Sequence, residues 1–245
     1  MNDDAQHIRK DLAACYRLVA HYGMTDVIYN HITAKLPGPE PLFLINGFGL
    51  HYDEVCASNL YTVNLAGDIV NQPASMTYGI SRAGYVIHGA IHAAREDVKC
   101  IIHTHTRAGL AISAMKEGLM PLTQTAMRFH GRIAYHDYEG PAVDAGEQRR
   151  LVADLGPHNV MVLRNHGLLT CGSSIAEAFN LMCWLESACQ AQVSILSMGR
   201  ELTFPPMDVV EKTAHLYDPS VRHFGYLEWA ALLRMLDRTD PSYQD

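Results

Sequence analysis

Two histidines stand one residue apart at the end of an apolar run, in the stretch Lys99–Gly109, KCIIHTHTRAG. Side chains alternate faces along a strand, so His103 and His105 share a face and Thr104 turns to the other. Two imidazoles on one face can chelate one ion. A third, His166, lies in LRNHGLL, at a turn after a strongly apolar segment, where Gly167 lets the backbone pass close to a neighbour. Three neutral imidazoles with open positions suit a catalytic metal site; a closed structural site takes four ligands, often cysteines. Zinc, manganese and iron all accept three imidazoles. The spacing alone leaves a plainer reading open, because in a chain with 14 histidines an HxH pair also arises inside an ordinary core strand.

Other polar residues gather near this trio in the sequence. His88 and His92 are four apart on a helical pattern, a spacing that also suits a metal. Their neighbours Ile87 and Ile91 mark a packed face, so supporting roles fit better, with His88 the candidate to stand behind the ligands. Ser81 and Arg82 open that helix, and a helix N-terminus with an arginine suits a carboxylate or phosphate. A surface arginine is the simpler alternative. AYHDYEGP brings Tyr135, His136, Asp137, Tyr138 and Glu139 together, as a cleft lining or as an ordinary polar loop. His130, His136, Tyr135 and Tyr138 are the candidate proton donors, and His130 has an imidazole's intrinsic range for that task.

The elements that must position these groups follow from periodicity and turn residues. Asp4–Tyr22 reads as a helix, with Gly23 behind it as a C-cap. Short strands are expected at His31–Leu36, Pro41–Ile45, Leu60–Leu65 and Asp68–Val70, with a hairpin turn at Ala66-Gly67-Asp68. A helix from Ser81 to Arg95 precedes the strand Cys100–Thr106. Helices at Arg107–Lys116 and Thr123–Phe129 lead to the strand Arg132–His136. Glu147–Asp154 is helical. Two strands flank the turn Asn165–Gly167, and Ser173 or Ser174 caps the longest helix, Ile175 to about Met198, with Glu177 placed for a capping box on Ser174. A last helix spans about Phe224–Leu236. The early strands are too closely spaced for crossover helices. The pattern therefore predicts one α/β domain, three layers deep, with a mixed and largely antiparallel sheet between helices.

Bulk properties exclude several classes. The 245 residues are 48% hydrophobic and 18% charged, as in a folded domain rather than a disordered chain. A net charge of -7 argues against nucleic-acid binding. No apolar run reaches the length of a membrane span, and the charged N-terminus is not a signal peptide, so no membrane partner and a cytoplasmic location are expected. The six cysteines form no CxxC pair and read as reduced, buried thiols.

AGYVIHGAIHAAREDVKCIIHTHTRAGLAISAM, IAYHDYEGP and LRNHGLLTCG together resemble the class II aldolase/adducin family, most closely its adducin-like branch with bacterial members. YNHITAKLPG and FGLHYDEVCASNLYTVNLAGDIV fall in the family's order, so the likeness runs from about residue 8 to residue 199 of a single domain spanning 1–245, with a helical tail from about 205. The resemblance implies the layered fold and four subunits with sites at their interfaces. It also implies one divalent ion per chain, usually zinc, held by His103, His105 and His166. In sugar-phosphate aldolases a glutamate four residues before the position of His88 is ligand and acid/base; here that position is Gly84. The phosphate-holding serines appear as Arg82 and Ala83, the catalytic-tyrosine loop reads PLTQTAMRFH, and the glycine–asparagine pair of the early loop is Tyr29-Asn30.

The chain thus keeps the metal histidines and lacks the aldolase's proton-transfer set. The expectation is a metal-dependent lyase cleaving a C–C bond in a small carboxylated keto or hydroxy acid, with Asn30, Ser81 and Arg82 on the substrate and His130, His136 or Tyr138 moving protons. Two alternatives stand beside it: a non-heme iron oxygenase, an oxidative decarboxylase of an aromatic keto acid, and a non-catalytic adducin-like binding module.

Overall fold

The computed structural model describes residues 3–140, 145–221 and 223–245; the side chains of Arg82, Ala83 and Ala145 lie outside that description. One eight-stranded sheet runs through it: β1 His31–Lys35, β2 Phe43–Ile45, β3 Tyr61–Val63, β4 Ile69–Asn71, β5 Cys100–Thr104, β6 Ile133–His136, β7 Val160–Leu163 and β8 Gly167–Gly172. The strand order is β4-β3-β2-β1-β5-β8-β7-β6. Only the β6–β7 pair is parallel; the other six are antiparallel. The expected early meander is present, its first three strands shorter by a residue or two at their ends and the fourth shifted by one residue.

Helices cover both faces. α1 Asp3–His21, α3 Arg107–Ser113, α4 Gln124–Met127, α6 Ile175–Ser197 and α8 Tyr226–Thr239 pack on one side. There Leu12, Leu18, Ile112, Met182 and Leu185 meet Ile102, Val162 and Leu168. α2 Arg82–Ala94 and α5 Ala145–Leu155 cover the other side, where Ile87, Ile91, Leu151 and Leu155 meet Ile101, Met161 and Leu169. Each fully buried Leu or Ile contributes about 1.5–3 kcal/mol. β5 is buried on both faces, which is why its sequence lacks the polar alternation of a half-exposed strand.

Local chemistry explains the element ends. Ser174 Oγ accepts from the Glu177 amide at 3.1 Å and starts α6. The Glu177 carboxylate turns back to Ser173, accepting from its amide at 2.7 Å and its hydroxyl at 2.6 Å. The cap is thus shared between two serines. Within the helical tail expected from about 205, the structure places α7, Met207–Leu216, ahead of the last helix, a limit the sequence pattern does not mark. It buries only Val210 and Ala214, too narrow a stripe to read as a period. The final helix begins and ends two to three residues later than expected. All six cysteines are free thiols. No helix among the described residues is long and apolar enough to cross a membrane.

Beneath α2 lies a buried polar seam. The Thr33 hydroxyl bridges His88 Nδ1 at 2.9 Å and His92 Nε2 at 2.8 Å, donating to one ring and accepting from the other. Burial presses His92 down to about 3; Lys35 and Lys99 push the same way, and the Val98 backbone opposes. His88 is also held well below the usual imidazole range by burial and by its histidine neighbours. In the unfolded chain both titrate near 6.5. Below that pH the unfolded state gains protons that the folded state refuses, so stability falls as pH drops from about 6.5 toward 3. Urea unfolding between pH 7 and 4 is expected to show this decline, and His92→Gln is expected to make it shallower. An unchanged slope would mean that His92 takes up its proton inside the fold.

Candidate metal centre

β5 ends where its neighbours β1 and β8 begin, at one end of the three central strands, and this junction gathers the histidines. His103 is in register with His31 on one side and Leu169 on the other. His105 lies just beyond the strand, and His166 in the turn before β8. Candidate ligand atoms of His103, His105 and His166 all lie within 4.8 Å of one another. Asn165, at φ 56°, reverses the chain before them. Gly167 has a steric reason: a Cβ there would sit 2.4 Å from the Thr104 carbonyl oxygen and 3.1 Å from His105 Cδ2.

The hydrogen bonds assign the ring nitrogens. His103 Nδ1 is 2.9 Å from the Leu168 carbonyl oxygen, which only accepts, so Nδ1 carries the proton. His105 Nδ1 donates to the Asp26 carboxylate at 2.9 Å. In neutral rings both Nε2 atoms are then lone pairs, and they face each other at 2.8 Å. Two lone pairs at that distance repel unless a cation or a proton lies between them. The His166 ring completes the group, 4.8 Å from that of His103 and 5.0 Å from that of His105, centroid to centroid. Burial, and then the neighbouring imidazoles, hold His103 well below the normal range and His166 at about 4. The rings of His103 and His166 are neutral at physiological pH, the state that binds a divalent ion. The donor set therefore fits such an ion, with the Leu168 carbonyl and the Asp26 carboxylate orienting its ligands.

Two residues of this neighbourhood escape sequence reasoning. Asp26 lies 79 positions from His105, in a loop where Val27 has φ 50° and Asn30 φ 76°. A β-branched residue at positive φ is strained, and such strain gathers where a loop must deliver a side chain. His31 is the second; its ring lies 6.1 Å from that of His103, and burial presses it to about 4 against the opposing pull of a polar contact with the Gly84 backbone. A lone histidine opening a strand carries no local signal.

The other expected site residues fall as follows. Tyr138 is half exposed, its ring 6.2 Å from that of His166. Asn30 is buried, and both of its amide atoms lack a hydrogen-bond partner among the described residues. Ser81 is the residue before α2, with no side-chain cap bond. Arg82 begins α2, but its side chain lies outside the described residues. His88 stacks on His31 at 3.9 Å, behind the trio. His136 is engaged elsewhere: Nδ1 pairs with Asp154 at 2.7 Å, and Nε2 is 4.0 Å from Glu147. His130 lines a separate small cavity with Glu117, Phe129 and Tyr135. Tyr135 Oη accepts from the Leu119 amide, and Arg164 stacks on its ring.

The fold is an α/β sheet between helical layers, with three histidines converging at one end of its central strands in an arrangement that could hold a metal ion. The chain matches the model of the Class II Aldolase and Adducin N-terminal domain over residues 10–193, and it belongs to that family. It is 46% identical over 241 residues to a provisionally named aldolase class 2 protein of Pseudomonas aeruginosa, with 96% of this chain and 91% of that protein covered. It is 43% identical over 243 residues to alpha-adducin of Rattus norvegicus, covering 94% of this chain but 33% of the adducin. Among solved structures, an aldolase II superfamily protein from Pseudomonas syringae superposes with a TM-score of 0.93 at 48% identity, covering 100% of this chain and 98% of that one. The L-fuculose 1-phosphate aldolase of Glaciozyma antarctica superposes at 0.86 with 26% identity, covering 98% and 93%.

Removing the carboxylate that orients His105 tests the centre's construction. Asp26→Ala is expected to weaken zinc binding by roughly 10–100-fold, measured by competition with a chromophoric chelator, and to leave the fold intact by circular dichroism. Gly167→Ala is expected to cost about 1–3 kcal/mol in urea unfolding, because its methyl group meets the Thr104 carbonyl.

Proposed function

We propose that the chain is a metal-dependent lyase that breaks a C–C bond in a small carboxylated keto or hydroxy acid, with one divalent ion, zinc for preference, on His103, His105 and His166. The observation that carries the reading is the pair of Nε2 lone pairs converging at 2.8 Å while both Nδ1 atoms are committed to acceptors. When bound, the ion supplies Lewis-acid polarisation of a substrate carbonyl. The rest falls to the chain. Asp26 and the Leu168 carbonyl hold two imidazoles in one tautomer. The buried Asn30 amide, with donor and acceptor both open, orients substrate oxygens, and Ser81 and Arg82 at the start of α2 receive a carboxylate. Tyr138, beside His166, is the phenol best placed to hold or move a proton. His136 is engaged with Asp154, and His130 lines a separate cavity.

Gly84 separates this reading from a sugar-phosphate aldolase, because glycine supplies neither the ligand nor the acid/base that such an enzyme takes from a glutamate. Likeness to the L-fuculose 1-phosphate aldolase of Glaciozyma antarctica therefore supports the reaction class rather than the substrate. An assembly of four copies with sites between subunits, located in the cytoplasm, belongs to the same proposal.

The likeness to alpha-adducin over one third of that protein supports a second reading, a non-catalytic binding module. Elemental mass spectrometry of freshly purified protein separates the two. About one zinc, manganese or iron per chain is expected, lost in the double variant His103→Ala, His105→Ala. Iron in place of zinc or manganese would favour oxygenase chemistry. No metal in either protein, even after incubation with divalent ions, would leave the binding module.

A further inference from the structure

A fourth imidazole stands beside the three. His31 opens β1 directly across the ladder from His103, and the two rings meet edge-on at 6.1 Å. His31 is 3% exposed. Its Nε2 is buried and has no hydrogen-bond partner among the described residues, and the same holds for Nε2 of His88, stacked against it. Buried ring nitrogens rarely stay unsatisfied; where one persists in a native fold, a water or a ligand usually completes it.

The position of this ring is secured by a missing side chain. Gly84 lies in the first turn of α2, on helical backbone that any residue adopts. Glycine there weakens a helix relative to alanine, so conformation does not call for it. Space does. A Cβ at position 84 would lie 2.5 Å from His31 Cε1, 2.6 Å from Nδ1 and 3.2 Å from Nε2. The imidazole fills the volume that a side chain at 84 would enter.

We propose that His31, its ring seated in the space that Gly84 leaves, is a ligand-contacting residue of the centre, its Nε2–H donating to an oxygen of a small carboxylate held at the three-histidine site. This rests on the reading of His103, His105 and His166 as a metal centre. It adds a specificity element. The flank toward α2 presents a neutral hydrogen-bonding ring where a carboxylate side chain would repel an anion. That flank admits an acidic ligand that a carboxylate side chain there would repel.

The test uses the full chain loaded with cobalt(II), and oxalate as probe, followed by the visible absorption of the cobalt and by calorimetry. His31→Phe keeps the ring's bulk and removes its nitrogens. It is expected to bind cobalt within about twofold of the unmodified protein and oxalate about tenfold more weakly, whereas His31→Gln, which restores a donor, recovers most of the oxalate affinity. Equal oxalate affinity in all three, with cobalt bound, overturns the proposal and leaves the metal reading standing. So does a cobalt-loaded parent protein that ignores oxalate. A parent protein that takes up no cobalt removes the metal reading and this proposal together. A second arm needs no ligand: Gly84→Ala is expected to lower the melting temperature of the parent protein and to be tolerated in the His31→Ala background. Equal losses in both backgrounds would show that the ring is not seated against Gly84, and would overturn the proposal as well.

Discussion

The centre depends on two hydrogen bonds made on the far sides of two imidazoles. The Leu168 carbonyl takes the Nδ1 proton of His103, and the Asp26 carboxylate takes that of His105. Each bond fixes a tautomer, and the two together turn both Nε2 lone pairs toward one point. Neither partner is near its histidine in sequence. Leu168 is delivered by the β5–β8 pairing, Asp26 by the strained loop ahead of β1. The sheet register is therefore part of the chemistry: a slip of one residue between β5 and β8 would move the Leu168 carbonyl away from Nδ1 and turn His103 toward the opposite layer.

That register is held by what surrounds it. β5 is apolar on both faces because helices cover both, and the two clusters around Ile101 and Ile102 clamp it from opposite sides. Gly167 permits the turn carrying His166 to lie against the Thr104 carbonyl. The polar seam of Thr33, His88 and His92 lies on the same side of the sheet as the centre, under α2. Its rings are kept neutral by burial, so the layer behind His103, His105 and His166 adds no positive charge there.

Positions 84 and 31 are coupled by space. Gly84 leaves room under the first turn of α2, and the His31 ring occupies it. Glycine alone would leave a cavity in a packed wall, and the histidine alone would clash with any larger residue at 84. The pair is self-consistent where either residue singly is not.

The sequence by itself determines the layers, the early antiparallel meander, most helix limits and the HxH pair, because each follows from local periodicity, turn residues or spacing. Ser174 and Glu177 announce α6 for the same reason: capping acts within one turn. His166 is legible as a candidate through its turn and its glycine. Tertiary structure alone decides that His166 meets His103 and His105, that Asp26 orients His105, and that His31 fills the space over Gly84. It also decides that His136 is paired with Asp154 and that His130 lies in another cavity. Those relations join residues tens of positions apart through strand register and packing, and no local pattern in a chain encodes a distance across a sheet.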